Sequence, residues 1–214
     1  MVNQATNPEG SRAIQLALHA RVSQILRVSP RQRSIILGSL LGDAYLSKRG
    51  QIFIDQAMSQ KAYVEWKFKE LSSLAYRRLS IVKRRDKRTG KETTSCRFIL
   101  RQYFRSWRPF FYDSNRKLLT ESVLNTLDKL SLAVWYLDDG HFDRSKGTCE
   151  IATDSFSSRD LKEVCDTLKN RFGLHFRINS KGRLWADRQW SQIFIRLIRP
   201  FVIPEMEYKI ALTP

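Results

Sequence analysis

Cysteine, histidine and long apolar runs are the scarce features of this 214-residue chain. Its three cysteines, Cys96, Cys149 and Cys165, are scattered, odd in number and include no C-x-x-C pair. A disulfide framework is therefore not what organises the fold, and a reducing compartment suits the set. His19, His141 and His175 stand far apart, which argues against a zinc cluster and against nucleases built on a His–metal finger. No apolar stretch approaches the ~18 residues that a bilayer-spanning helix needs, so no membrane partner is expected. Acidic residues are also few. There are 21 Asp and Glu against 38 Lys and Arg, for a formal charge of +17 and a pI near 10.2. Such an excess repels itself unless a polyanion neutralises it, and nucleic acid is the first candidate. Ribosomal contacts or an anionic membrane surface would satisfy the same arithmetic. Apolar residues at 42% and aromatics at 11% are enough for a packed core.

What is present is arranged twice. The first thirty residues carry Arg12, His19, Arg21 and Arg27 among Ala, Leu and Ile; a short helix over 11–27 is expected, with a transit peptide as the other reading. After Ser29-Pro30 comes an apolar helix, Ile35 to Leu41, ending in Gly42-Asp43. Short strands at 44–48 and 51–55 follow, then a helix within 59–76 carrying Tyr63, Trp66, Leu71 and Leu74, then strands near 79–85 and 94–101. A helix with Phe104, Trp107, Phe110 and Phe111 closes the half. The order then recurs. Leu132 to Asp138-Asp139-Gly140 is a second acid-ended helix, followed by a strand near 148–153 and a helix over 157–172 capped by Ser157 or Ser158. A hairpin of 174–179 and 183–187 and a helix over 188–199 complete it. Asp43 and Asp139 lie 96 residues apart, and the two Arg-Pro-Phe stretches at Arg108 and Arg199 lie 91 apart, close to one period. The expected fold is a duplicated α-β-β-α-β-β-α unit of mixed α/β class. Its parts are a leader over 1–29, a first half over 30–118 and a second half over 119–214.

The acid-ended helices carry the chemistry. Gly38 and Gly42 form G-x-x-x-G on one helix face, and Ala133 offers a small residue on the counterpart; small residues let two helix backbones approach closely. Helices paired in this way bring Asp43 and Asp139 together. Two close carboxylates repel, and a bound cation relieves them. Mg²⁺ suits such a site because it accepts a few oxygens and keeps waters, which supply a nucleophile for a phosphate.

Ser39-Leu40-Leu41-Gly42-Asp43-Ala44-Tyr45 and Leu132-Ala133-Val134-Trp135-Tyr136-Leu137-Asp138-Asp139-Gly140 resemble the two motif copies of single-chain LAGLIDADG homing endonucleases. Gln60-Lys61-Ala62-Tyr63 and Pro204 through Tyr208-Lys209 resemble further segments of the same family, so the likeness covers about residues 31–210. It implies that the motif helices form the central interface, that Asp43 and Asp139 bind the catalytic metals, and that Gly42 and Asp138 contribute backbone carbonyls. It also implies that Lys117 and Lys209 lie near the scissile phosphate, with Arg116 as a rival to Lys117. The chain departs from the family pattern at Leu41 and Leu137, each in place of the motif's first Asp, at Ala44 in place of Gly, and at Val134 in place of a small glycine. Looser helix packing is expected around Val134.

Under this resemblance the strands form two antiparallel β saddles. Eleven Lys or Arg fall within 77–105 against Asp86 and Glu92, which marks the densest phosphate contact. Alternation places Ile52, Ile54, Phe98, Leu100, Phe176, Ile178 and Leu184 inward. Gln51, Phe53, Asp55, Arg97, Arg101, His175, Arg177, Asn179, Arg183, Trp185 and Asp187 then face outward. Of these, Gln51, Arg97, Arg101, Arg177, Asn179, Arg183 and Trp185 are taken as DNA-binding, able to reach base edges or phosphates. Lys48, Arg49 and Lys181 at hairpin tips, with Lys83, Arg84, Arg85, Lys87 and Arg88, complete the expected interface.

The resemblance implies a monomer that hydrolyses both strands of a long duplex at an intron or intein insertion site, leaving short 3′ overhangs. Mg²⁺ is the expected metal, with Mn²⁺ or Ca²⁺ able to replace it for binding, and an organelle is favoured over a bacterial cytoplasm. Two other functions remain on the same fold: an RNA maturase that binds its intron RNA, and a DNA-binding regulator that does not cut. Tyr136-Leu137-Asp138-Asp139 also mimics a reverse-transcriptase motif, but the chain is short for a palm domain.

Overall fold

The computed structural model describes residues 28–210. The helix expected over 11–27 lies outside them. The first described helix, α1 (Pro30–Leu41), starts where Ser29 accepts a hydrogen bond from the Gln32 N–H while the Gln32 side chain accepts one from the Ser29 N–H. That reciprocal cap satisfies two amides which the helix itself cannot pair. From Ser34 to Leu41 every residue of α1 is buried, as befits a helix that is apolar on nearly all sides. Its counterpart α5 (Lys129–Asp139) opens with the same device, Asp128 and Ser131 capping one another. Leu132, Val134, Trp135 and Tyr136 are all buried within it.

α1 and α5 pack side by side through the middle of the molecule. Gly38 makes this possible. A Cβ placed on it would lie 2.4 Å from the Ser131 carbonyl oxygen and 2.7 Å from Val134 Cβ. Val134, expected to loosen the packing, instead fills the space that Gly38 leaves open. One thinned helix is enough when the other supplies the volume. The same contact yields a prediction. Gly38→Val forces its side chain into backbone that cannot rotate away, and the loss should be at least ~1–3 kcal/mol of stability. A urea midpoint that stays at the wild-type value would show that the helices separate without penalty.

Around this pair the chain builds two sheets of the same order. In the first half β1 (Tyr45–Leu46) pairs with β2 (Ile52–Ala57). The helix α2 (Lys61–Leu71) leads to β3 (Ser80–Arg85) and β4 (Glu92–Ile99), and the sheet runs β1-β2-β4-β3. In the second half β7 (Gly140–Asp143) and β8 (Thr148–Ile151) precede the helix α6 (Ser158–Phe172). They are joined by β9 (Arg177–Ile178) and β10 (Leu184–Ala186) in the order β7-β8-β10-β9. All pairings are antiparallel. α7 (Arg188–Ile198) closes the second half, capped by Asp187.

Strand alternation holds for Ile52, Ile54, Phe98, Leu100, Phe176 and Leu184, which are in the core, while Ile178, also expected inward, is half-buried against it. The expected aromatic helix at 104–111 is shorter, a 3₁₀ turn at Arg105–Trp107 followed by α3 (Arg108–Phe111). Pro109 suits the first turn of a helix, where no intrahelical N–H is needed, so helix begins there rather than earlier. Two small elements were not expected: the hairpin β5 (Tyr112–Asp113) and β6 (Arg116–Lys117), and the single turn α4 (Glu121–Leu124). Ser114 turns that hairpin with φ of 54°, a conformation no sequence pattern advertised.

Candidate functional site

The two acid-ended helices finish beside each other on the side of the molecule where the sheets begin. α1 stops at Gly42, and a Cβ on Gly42 would lie 2.5 Å from Asp138 Cβ, so the second motif's side chain occupies the space a first-motif side chain would need. Asp43 follows α1 and is exposed. Asp139 is the last residue of α5 and is half-buried. Burial first, and then the charges of Asp43 and Asp138, push the Asp139 carboxyl up to about 7, although Lys117 and Lys209 pull the other way. The charge of Asp43 reaches the Asp139 carboxyl, which sets the two helix ends within electrostatic range of each other.

Each half also sends one lysine to the floor. Lys117, delivered by the β5–β6 hairpin, donates to the Gly42 carbonyl at 2.5 Å. Lys209, at the end of the 3₁₀ segment Pro204–Lys209, donates to the Asp138 carbonyl at 2.9 Å. Gly42 and Asp138 occupy matching places in the two motifs, so the two contacts are related by the internal repeat. The carbonyls assigned to metal by resemblance are therefore already hydrogen-bonded to ammonium groups. Burial lowers the pKa of both lysines, and the neighbouring acids oppose that shift. Arg116, the rival to Lys117, is exposed and pairs through Asp113 in the hairpin backbone.

Asp138 itself is the residue that sequence reasoning placed least well. Its side chain is fully buried and ion-paired to Lys67, which is 0% exposed, at 2.6 Å. Gln56 donates from one amide nitrogen to Asp43 Oδ2 at 2.7 Å and to Asp138 Oδ1 at 3.1 Å. The Asp43 backbone N–H donates to Asp138 Oδ2 at 3.3 Å. Burial pushes the Asp138 carboxyl up and Lys67 pulls it back. Lys67 and Gln56 were both missed. A signal for Lys67 existed: Tyr63, Lys67 and Leu71 share one face of α2 at intervals of four, and all three are buried. A lysine on that stripe requires a carboxylate partner.

The donor chemistry fits a hard divalent cation. Among the described residues no group of three or more His, Cys, Asp or Glu is placed to hold a metal alone. Two carboxylates with open positions for water and phosphate oxygen are what Mg²⁺ accepts, and they exclude a closed zinc-type cage.

The residues expected to contact DNA differ in exposure. Lys48, Arg49, Lys83, Arg85, Lys87, Arg88, Arg101, Arg177 and Lys181 are exposed, and Gln51, Arg97 and Trp185 are half-buried. Four of the expected DNA contacts are committed to acids within the protein, Arg97 among them through Asp55 at 3.9 Å. Arg84 pairs with Asp55, Arg183 with Glu150 and Asp154, and Asn179 donates to Glu150. In the second sheet His141, Glu150, Trp185 and Arg177 stand in one cross-strand row. In the first, Phe53 pairs with Ile99 and Asp55 with Arg97, and Tyr45 packs on Phe53.

The charge of Asp139 predicts a pH effect on the metal-free protein. Its folded pKa of about 7 lies above the ordinary 3.8, so the folded state holds this proton more tightly than the unfolded chain. Stability from this group is therefore present below pH ~4 and is lost as pH rises to ~7, by an amount on the order of a few kcal/mol. In calorimetric scans Asp139→Asn should lose this slope, and millimolar Ca²⁺ should raise the wild-type Tm more at pH 8 than at pH 5. Parallel curves for the two proteins would contradict the buried, repelled carboxylate.

Comparison with known proteins gives the family and the fold. Residues 33–193 match the LAGLIDADG DNA endonuclease family. The chain is 29% identical over 210 residues to a protein RecA of Mycolicibacterium chitae, covering 86% of this chain and 47% of that protein. It thus spans about half the length of such relatives. It is 26% identical over 196 residues to a probable intron-encoded endonuclease of Wickerhamomyces canadensis, covering 86% of this chain and 85% of that one. In fold it is similar to the homing endonuclease I-WcaI, solved bound to its DNA recognition sequence, with a TM-score of 0.79 at 20% identity, covering 100% of this chain and 96% of that one. With two motif helices paired at the centre, a mirrored sheet on each and an acid at each helix end, the chain belongs to the LAGLIDADG DNA endonuclease family.

Proposed function

We propose that the chain is a site-specific endonuclease that hydrolyses one phosphodiester in each strand of a long duplex, with divalent metal at Asp43 and Asp139. The observation that carries this reading is the repeated floor, in which each motif acid has beside it a lysine held on the carbonyl before it: Lys117 on Gly42 and Lys209 on Asp138. A single catalytic set would serve one strand; a doubled set in one chain matches two cuts. The intron-encoded relative supports an insertion site as target.

Asp43 and Asp139 would hold the cation, which supplies activated water and shields phosphate charge. The protein's own groups do the rest. Lys117 and Lys209 place positive charge where the phosphate becomes more negative, inside a half-buried floor where that charge is poorly screened. The exposed basic hairpin of 83–88 and the tips at Lys48, Arg49 and Lys181 grip phosphates, and the sheet faces between them read base edges. The two halves, 30–118 and 119–214, act as unlike arms of one monomeric grip. Such arms can read a non-palindromic site.

The test is selection from a library of candidate insertion sequences, followed by incubation of the selected duplex with purified protein and Mg²⁺. Two cuts with short 3′ overhangs, suppressed by a chelator, are expected. Tight binding with no metal-dependent product would leave a DNA-binding regulator as the function.

A further inference from the structure

We infer that Lys67 is a positioning residue that makes the two motif acids unequal, so that only the Asp43 side of the floor depends on it; this rests on the endonuclease reading above. The ion pair between Lys67 and Asp138 crosses from one half to the other, with Lys67 on α2 and Asp138 at the end of α5. Lys67 Nζ reaches both oxygens of Asp138, at 2.6 and 3.0 Å, and lies 4.4 Å from the Tyr63 ring centroid. The pair is thus fixed on several sides and sealed from water.

From Asp138 two links run to Asp43. One is direct, from the Asp43 N–H, and the other passes through the Gln56 amide, which donates to both carboxylates. Lys67 therefore holds Asp138, and Asp138 with Gln56 holds Asp43. The other motif has no such strut. Gly42 stands where Asp138 stands in the second copy, and among the described residues no side chain hydrogen-bonds the Asp139 carboxylate. A group that orients a ligand from behind commonly changes metal affinity or activity by ~10–100-fold when it is removed. Here the effect falls on one side.

The experiment uses the full-length protein on its selected duplex, with each strand end-labelled in turn. The variants are Lys67→Met and Lys67→Met/Asp138→Asn. The second buries no unpaired charge, which protects the test against a failure of the first to fold. In Lys67→Met one strand should be cut about tenfold or more slowly relative to the other, so that duplex nicked always in the same strand accumulates. The double variant keeps a neutral acceptor for Gln56 and should slow the same strand to a lesser degree. Electron paramagnetic resonance of Mn²⁺ titrated into the protein–DNA complex gives a readout independent of cutting: one bound ion should weaken about tenfold and the rest should be unchanged. If the wild type cuts neither strand, the endonuclease reading fails and the Mn²⁺ titration alone decides on Lys67. If the wild type cuts both, while the strand ratio and Mn²⁺ affinities stay unaltered in both variants, Lys67 has only a structural part and the inference is overturned.

Discussion

Asp43→Asn and Asp139→Asn should each lower strand cleavage by on the order of 10³-fold while leaving DNA affinity within about threefold. The asymmetry between the two readouts follows from position. The acids lie at the ends of the paired motif helices, and the charge proposed to grip phosphate lies on the β3–β4 hairpin, at Lys83, Arg85, Lys87 and Arg88. Removing one negative charge from the floor also reduces repulsion with the polyanion, so binding should hold or tighten slightly. The isosteric amide keeps the helix end as it is. Full cutting by both variants, measured in single turnover at saturating Mg²⁺, would remove the two acids from the chemistry.

The second large effect is on stability. Lys67→Met alone should cost ~3–5 kcal/mol, because it leaves the Asp138 carboxylate buried without its cation. That is a large part of the ~5–15 kcal/mol that holds a typical domain folded. The cost should depend on pH in a definite direction. Without Lys67, burial favours the protonated Asp138, so the deficit is smallest in acid and grows as pH rises. Lys67→Met/Asp138→Asn should recover most of the loss, since a neutral amide still accepts from Gln56 and leaves no bare charge. Chemical denaturation at pH 5 and pH 8 measures all three proteins. A single variant as stable as the wild type at both pH values would mean that the pair is hydrated, contrary to its burial.

Much of the architecture could be read in advance because its causes are periodic. Ile52 and Ile54, or Phe98 and Leu100, announce a sheet face by alternation, and an apolar helix such as 35–41 can only be a core helix. The two acids were legible because they recur at one spacing. Lys67 was passed over because Tyr63, Trp66, Leu71 and Leu74 account for its helix without it, although its place on the buried stripe was visible. The route of Lys117 was hidden for a different reason. It depends on Ser114 adopting a positive φ in a two-residue turn, a local accident of backbone that no periodicity encodes. Which basic residues remain free for nucleic acid was equally out of reach, since Arg84, Arg97, Arg183 and Asn179 are spoken for by acids of their own sheets.

The ion pair beneath the floor joins one half's second helix to the other half's motif. Recombining halves from different relatives to redirect target choice would therefore need to treat positions 67 and 138 as a matched lock. A hybrid that inherits the lysine with a neutral partner, or the aspartate without its cation, should express poorly whatever the quality of its DNA-reading strands. Screening hybrids on these two positions first would separate failures of mating from failures of recognition.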